Sequence, residues 1–469
     1  MFGKSLAFAQ PGNDRIQLFG NLRTRIEIWD WFAGSADSNY AFSGSTLRFG
    51  AARQTPALDW HFELEAPVLL DLPVDSVAPG LQGPMGLGGI YFTATDAPTD
   101  RAMLFPKQAF LLFKKLDGRG KQKLKAGRFE FSDASEMPPS NPTLAALKRD
   151  RIAQRLLGPF GFTHVGRSFD GIQYSYSGSA SGITLLAVAP TRGAFQVDGW
   201  GPLPIGVFYA SYTNAISRKK AAGEFRLFAM YYHDWRNPVK TDNRPIAARR
   251  ADGNHVRIAT TGGHYLQSLE LPAGMLDFTF WGVVQLGKWG LLDHRAGAAA
   301  LEAGYQPIVL KRLKPWFRAG AQFGSGDGNQ SDGKHGTFFQ ILPTARLYAR
   351  FPFYNMMNMQ DAFAELILKP HSQITVRGDV HWLRLSQASD LWYQGSGAFQ
   401  PWTFGFTGKA SGGKRGLGKV FDVSADWQID KRFSAGLYFA HTNGSSVEQN
   451  IYPRGKNANY GYAELTCKF

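Results

Sequence analysis

Histidine and arginine are the side chains here whose types could do chemistry, and they suit different tasks. Histidine titrates near neutrality and serves acid–base or metal work. The ten histidines are scattered, with no pair at metal-ligand spacing. His61, His164 and His381 each lie near carboxylates, as a polar wall would place them without catalysis. The chain has no G-x-S-x-G, H-E-x-x-H or G-x-x-x-x-G-K-[ST] stretch. Its one cysteine, Cys467, excludes an internal disulfide or a two-cysteine metal site. "GSGDGNQSDG" (324–333) is rich in Asp, Asn and Gly but lacks EF-hand spacing and a closing Glu, so it reads as a flexible external loop. The reading is of no enzyme, no metal and no cofactor.

Arginine suits anion recognition: it is always charged, and its fork meets a carboxylate at two points. Lys and Arg total 52 against 37 Asp and Glu, a net charge of +15. Such a surplus points to nucleic acid, anionic lipid or an acidic polymer. The runs "GRGKQKLK" (118–125), "SRKK" (217–220) and "LKRLK" (310–314) read as solvated turns. Arg23, Arg25, Arg128, Arg167, Arg226, Arg257, Arg318 and Arg377 fall in or beside segments of strand character.

The elements that must position these groups announce themselves by alternation. In "LDWHFELEA" (58–66), Leu58, Trp60, Phe62 and Leu64 alternate with Asp59, His61, Glu63 and Glu65. In 21–29, Leu22, Thr24, Ile26 and Ile28 oppose Arg23, Arg25 and Glu27. In 419–429, Phe421, Val423 and Trp427 oppose Asp422, Ser424 and Asp426. Aromatics are 14%, glycines number 53, and no segment reaches the ~18 apolar residues of a spanning helix. The alternating runs reach about 10–14 residues, nearer a tilted membrane strand than a sandwich strand. Trp29, Trp31, Trp289 and Trp382 sit at strand mouths, as in an interfacial aromatic girdle.

The connections decide the class. About 18 strands fit between residues 15 and 469, an even number as single-chain outer-membrane barrels require. Tight links such as "GSAS", "LPAG" and "KPHS" alternate with long ones at 70–106, 133–168, 235–253, 324–359, 386–415 and 444–458. The helix-like "TLAALKRDRIAQRLLG" (143–158) falls within one of these loops. The expected fold is all-β: a transmembrane antiparallel β-barrel with short periplasmic turns and long extracellular loops, in the bacterial outer membrane. Residues 1–9 read as the remnant of a signal peptide, with Ala7-Phe8-Ala9 as its small-x-small end, and 10–469 as one barrel domain. The final strand and terminal Phe469 resemble the carboxy-terminal signal shown to the barrel assembly machinery.

One combination is more specific. "LKAGRFEFSDASEMPPSN" (124–141) ends a strand in Gly-Arg, and "RDRIAQRLLGPFGFTHVGRSFDGIQYSY" (149–176) opens the next with Arg-Ser-Phe-Asp-Gly. This resembles the alginate export family of outer-membrane porins, as do "FFQILPTARLYARFP" (338–352) and "NMQDAFAELILKP" (358–370). The resemblance implies an 18-stranded barrel whose arginine-lined pore passes an anionic polyuronate. Carried over by motif, Arg128, Arg167 and Asp170 become pore or loop-anchor residues, joined by Arg346 and Arg350.

The resulting expectation is an outer-membrane channel for an alginate-like polysaccharide, lined by these arginines. Its partners would be outer-membrane lipid, the assembly machinery, the polymer and periplasmic export proteins, but not nucleic acid. The alternative is an anion-selective uptake porin for small acidic sugars or other anionic nutrients. An outer-membrane enzyme would need a clustered Ser–His–acid site, and a surface receptor a plug domain. A soluble nucleic-acid binder would account for the charge but not for the outward rows of Phe, Trp and Leu.

Overall fold

The computed structural model describes residues 15–96, 98–344, 351, 353–395 and 397–469. The segment 1–9, read above as a signal remnant, lies outside the described residues. The wall consists of eighteen described strands. The first six are β1 (Ile16–Asp30), β2 (Asn39–Gln54), β3 (Leu58–Leu70), β4 (Phe105–Lys114), β5 (Gln122–Phe129) and β6 (Phe169–Ser177). Next come β7 (Ser181–Pro190), β8 (Ile205–Arg218), β9 (Ala221–Asp234), β10 (Val256–Leu271), β11 (Gly274–Trp289) and β12 (Leu292–Pro307). The ring continues through β13 (Trp316–Gly324), β14 (Met359–His371), β15 (Ile374–Leu385), β16 (Gly416–Gln428), β17 (Phe433–Gly444) and β18 (Asn457–Lys468).

Each strand pairs antiparallel with the next, and β1 pairs with β18 from Asn21↔Lys468 to Asp30↔Asn459. Closure removes both sheet edges, the condition for crossing a bilayer with strands. The backbone of Phe469 adds two further bonds to Gly20, at 2.8 and 3.0 Å. Alternation does what the sequence leads one to expect. Phe62 is 44% exposed on the outer face, while His61 and Glu63 beside it are 5% and 2% exposed toward the bore. Gly127 marks a place where the wall tolerates no side chain: its φ is +124°, and a Cβ there would lie 2.2 Å from the Ala109 carbonyl oxygen.

One end carries turns as short as Lys219-Lys220 and Pro272-Ala273, the periplasmic side of such a barrel. The other end carries the long connections, and several of these fold inward. Loop 71–104 brings α1 (Gly86–Ala94) against the wall, with Tyr91 fully buried. Loop 130–168 descends through the bore. It holds α2 (Pro142–Leu147), whose first turn is capped by Asn141 accepting the Leu144 N–H at 3.1 Å. A wider turn, Lys148–Ile152, follows, so the helical reading of 143–158 holds only for its first half. The descent reaches the short-turn end, where Lys148 Nζ lies 2.6 Å from Glu224 and Gln306 donates to Thr143 at 3.1 Å.

Two apolar cores therefore fill much of the bore. One joins Leu144, Leu156 and Leu157 to Phe338, Phe339 and Ile341. The other gathers Trp29, Trp31, Phe32, Phe162, Tyr354 and Tyr460. This corrects the girdle expected from the tryptophans. Trp29, Trp31 and Trp289 are 0–1% exposed and point inward; Trp382, at 44%, faces out. Trp29 shares the parity of Arg25 and Glu27, and its indole N–H donates to Glu27 at 3.1 Å. Loop cores supply the apolar surroundings that membrane lipid was expected to supply.

A periplasm-facing cavity and its charged walls

Among the described residues, a cavity of about 550 Å³ opens in the bore at the short-turn end, walled by β1–β5 and β16–β18. Its inner end is formed by Gln154, Pro159, Gly161, Thr163, His164, Gly166 and Thr344, all from inward-folded loops. Cations on the wall are Arg23, Arg48, Lys107, Lys125 and Lys468. Acids are Asp59, Glu63, Glu65, Glu130, Asp426 and Glu464. Charge is thus mixed, and most of it is paired. Arg48 meets both oxygens of Glu63 at 2.8 Å and reaches Glu130 at 3.1 Å. Lys107 lies 3.5 Å from Glu65 and 3.4 Å from Glu130.

Lys125 differs. Its ammonium sits over the rings of Phe110 and Phe129, at 5.0 and 5.2 Å from their centroids. Phe110 in turn stacks on His61 at 5.1 Å, and His61 on Phe19 at 5.0 Å. Among the described residues Lys125 makes no ion pair with a carboxylate. The cavity wall therefore presents an aromatic platform beside a cation held only by ring faces.

Of the arginines expected to line a pore, Arg23 alone among the described residues borders this cavity. It donates to the carbonyls of Gly161 at 2.7 Å and Thr163 at 2.5 Å, gripping the descending loop. Arg25, two residues on, is fully buried; it donates to Phe162 O at 2.9 Å and lies between the Phe162 and Tyr462 rings. Arg226 points inward to Glu136 at 3.1 Å, and Arg377 to Asp426 at 2.5 Å. Arg318 bonds Asp277 at 2.7 Å and Glu302 at 2.9 Å. Arg167 lies in the loop itself and donates to the carbonyls of Gly158 at 3.0 Å and Leu342 at 2.9 Å, an anchor between two loops.

Three members of the expected set are corrected. Arg128 and Asp170 pair with each other at 2.6 and 2.7 Å, but their register puts them on the outer face: Arg128 lies opposite Ala109, itself opposite Phe62. Arg257 also faces outward, opposite Lys288, on the same face as Leu286. All three sit close to the long-loop ends of their strands, where an outward charge meets the interface rather than the hydrocarbon. Arg346 and Arg350 lie outside the described residues.

Sequence reasoning missed Arg48, Lys107 and Lys125, and with them Arg151 and Arg155. The last two descend with the loop to Glu302, at 2.8 and 3.2 Å, beside Arg318. The signal for Lys125 was present. It shares the inward parity of the 122–129 strand but was absorbed into a basic run read as turn.

The alginate export family model matches residues 45–444. The chain belongs to that family. Solved outer-membrane proteins share the fold at low identity. Pseudomonas aeruginosa OpdK aligns with a TM-score of 0.56 and 9% identity over 97% of this chain and 99% of that one. OccK9 (OpdG) of the same organism gives 0.58 and 11%, over 97% and 98%. Acinetobacter baumannii OccAB4 gives 0.54 and 9%, over 97% and 98%. No curated protein matches the chain. This alginate export family member is an outer-membrane β-barrel, and family and fold together point to a transport channel.

Proposed function

We propose that this barrel passes an acidic saccharide, an alginate-like polyuronate, and receives it in the periplasm-facing cavity. The observation that carries the reading is Lys125 over Phe110 and Phe129, beside the stacked His61. A uronate has an apolar C–H face for a ring and a carboxylate for an ammonium, and this wall offers both. The arginines act chiefly through pairing. Arg23 commits its donors to the carbonyls of Gly161 and Thr163. A carboxylate is a stronger acceptor than a neutral carbonyl, so an arriving uronate competes with the loop for that guanidinium. Loading and release of loop 130–168 are thereby coupled, and a row of weak sites permits onward movement.

A second reading is uptake of small carboxylates. Its support is that OpdK, alike in fold, has been solved with vanillate (TM-score 0.55, 10% identity, 96% of this chain and 98% of that one). Planar-bilayer recording separates the two. Oligouronates added on the periplasmic side should block current far more than neutral oligosaccharides of equal length, and Lys125→Glu should weaken the block about ten-fold, as loss of a desolvated charge contact would. Equal block by charged and neutral sugars would overturn the polyuronate reading. Block by vanillate alone would favour the uptake channel.

A further inference from the structure

Neither the paired cavity wall nor the loops account for most of the surplus charge. It sits on the periplasmic rim. The turns 115–121, 219–220, 308–315 and 429–432 hold ten Lys or Arg against two Asp, a surplus of eight within a net +15. All ten side chains are exposed, and among the described residues none makes an ion pair.

The turn 308–315 adds a second property. Ile308, Val309 and Leu310 are 58–63% exposed, directly before Lys311, Arg312 and Lys314. The turn continues the wall rather than crossing the mouth: Ile308 N–H donates to Ala273 O at 3.0 Å, and Lys369 N–H to Leu313 O at 2.7 Å. Phe317, 50% exposed on the lipid face, follows three residues after Lys314, a rise of at most ~10 Å along a strand. The pattern repeats: exposed Leu116 lies in 115–121, and exposed Phe433 follows Lys431 and Arg432. Basic side chains interleaved with aliphatic ones at this depth match headgroup phosphates with acyl chains just beneath. A polyuronate seats its C–H faces on aromatic rings, which these four turns lack, so it would use the charges but leave the aliphatic side chains in water.

We propose that this rim binds anionic phospholipid of the periplasmic leaflet, with 308–315 as its principal contact. The proposal rests on the membrane placement of the barrel and not on what the channel carries. The test uses the full chain in phosphatidylcholine vesicles containing spin-labelled phosphatidylglycerol or phosphatidylcholine as probe. The wild-type barrel should immobilise the anionic probe at least about five-fold more than the zwitterionic one. That preference should fall in about 0.5 M salt, and K311E/R312E/K314E should bring it close to one. If that variant does not fold, K219E/K220E applies the same test at another turn. An absent preference, or one that survives the reversal in the folded variant, overturns the proposal. So does displacement of the probe by an oligouronate, which would give the rim to the substrate instead.

Discussion

Arg25 and Glu464 face each other across the seam that closes the barrel, with two guanidinium nitrogens on one carboxylate oxygen at 3.0 and 2.7 Å. The same arginine also holds Phe162 of the descending loop. Wall and loop thus share one fully buried guanidinium.

Glu464→Ala should therefore cost about 1–3 kcal/mol, because two donors of a buried guanidinium lose their acceptor while Glu27, at 3.3 Å, and the Phe162 carbonyl keep the charge paired. Denaturant titration of the refolded barrel in lipid measures it. A loss below about 1 kcal/mol would mean that the pair behaves like an exposed one.

Phe62→Arg tests the facing of β3. An arginine on the lipid side near the midplane should cost about 2–4 kcal/mol. The same titration, with retained stability, would deny Phe62 its lipid contact.

Loop 445–456 should respond to pH. Burial pushes the Glu448 carboxyl up to about 8 from an ordinary 4.5, while the Ser445 N–H and the Tyr354 hydroxyl donate to it. Between those values the folded loop keeps a proton that an unfolded one releases. Its stability is accordingly fullest below the lower value and falls as pH rises toward the upper one. Hydrogen exchange at Gln449 and Tyr452, once corrected for intrinsic rate, should show protection declining across this window. Glu448→Gln should flatten the decline.

Phe469→Ala should separate assembly from stability. The backbone bonds to Gly20 survive the substitution, and the ring is 66% exposed, so the folded barrel should melt within a few degrees of wild type. If the ring is read by the assembly machinery, the yield of heat-modifiable barrel in cells should drop. Unchanged yield would remove that role from the side chain.

Particular residues show how far the sequence could be read. The parity of 58–66 predicted Phe62 outside and His61 inside because period two is a local property of a strand. The ion-pair partners had no such signal. Arg25 meets Glu464, 439 positions away, through a register set only when the ring closes. The inward course of 130–168 was equally hidden, although Phe160, Phe162 and Val165 in its return limb are apolar enough to require cover. The three tryptophans were misplaced because girdle statistics outweighed the parity of Trp29 with Glu27. Arg128 and Asp170 were transferred by motif, and a motif does not state which face a strand turns to lipid.

The descending loop has a consequence for how the molecule is made. It is bound to the first strand through Arg23 and Arg25 and to the twelfth through Glu302. The seam itself waits for the last strand, so every partial wall carries two bare edges. Contacts this distant in sequence form slowly, after most of the chain has been ordered. A segment that fills the bore and touches opposite sides of it has to be enclosed before the seam zips, not threaded in afterwards. Maturation of the wall and packing of its contents are then one event. Weakening the Arg25 grip should lengthen the lifetime of the open, aggregation-prone sheet as well as loosen the finished channel.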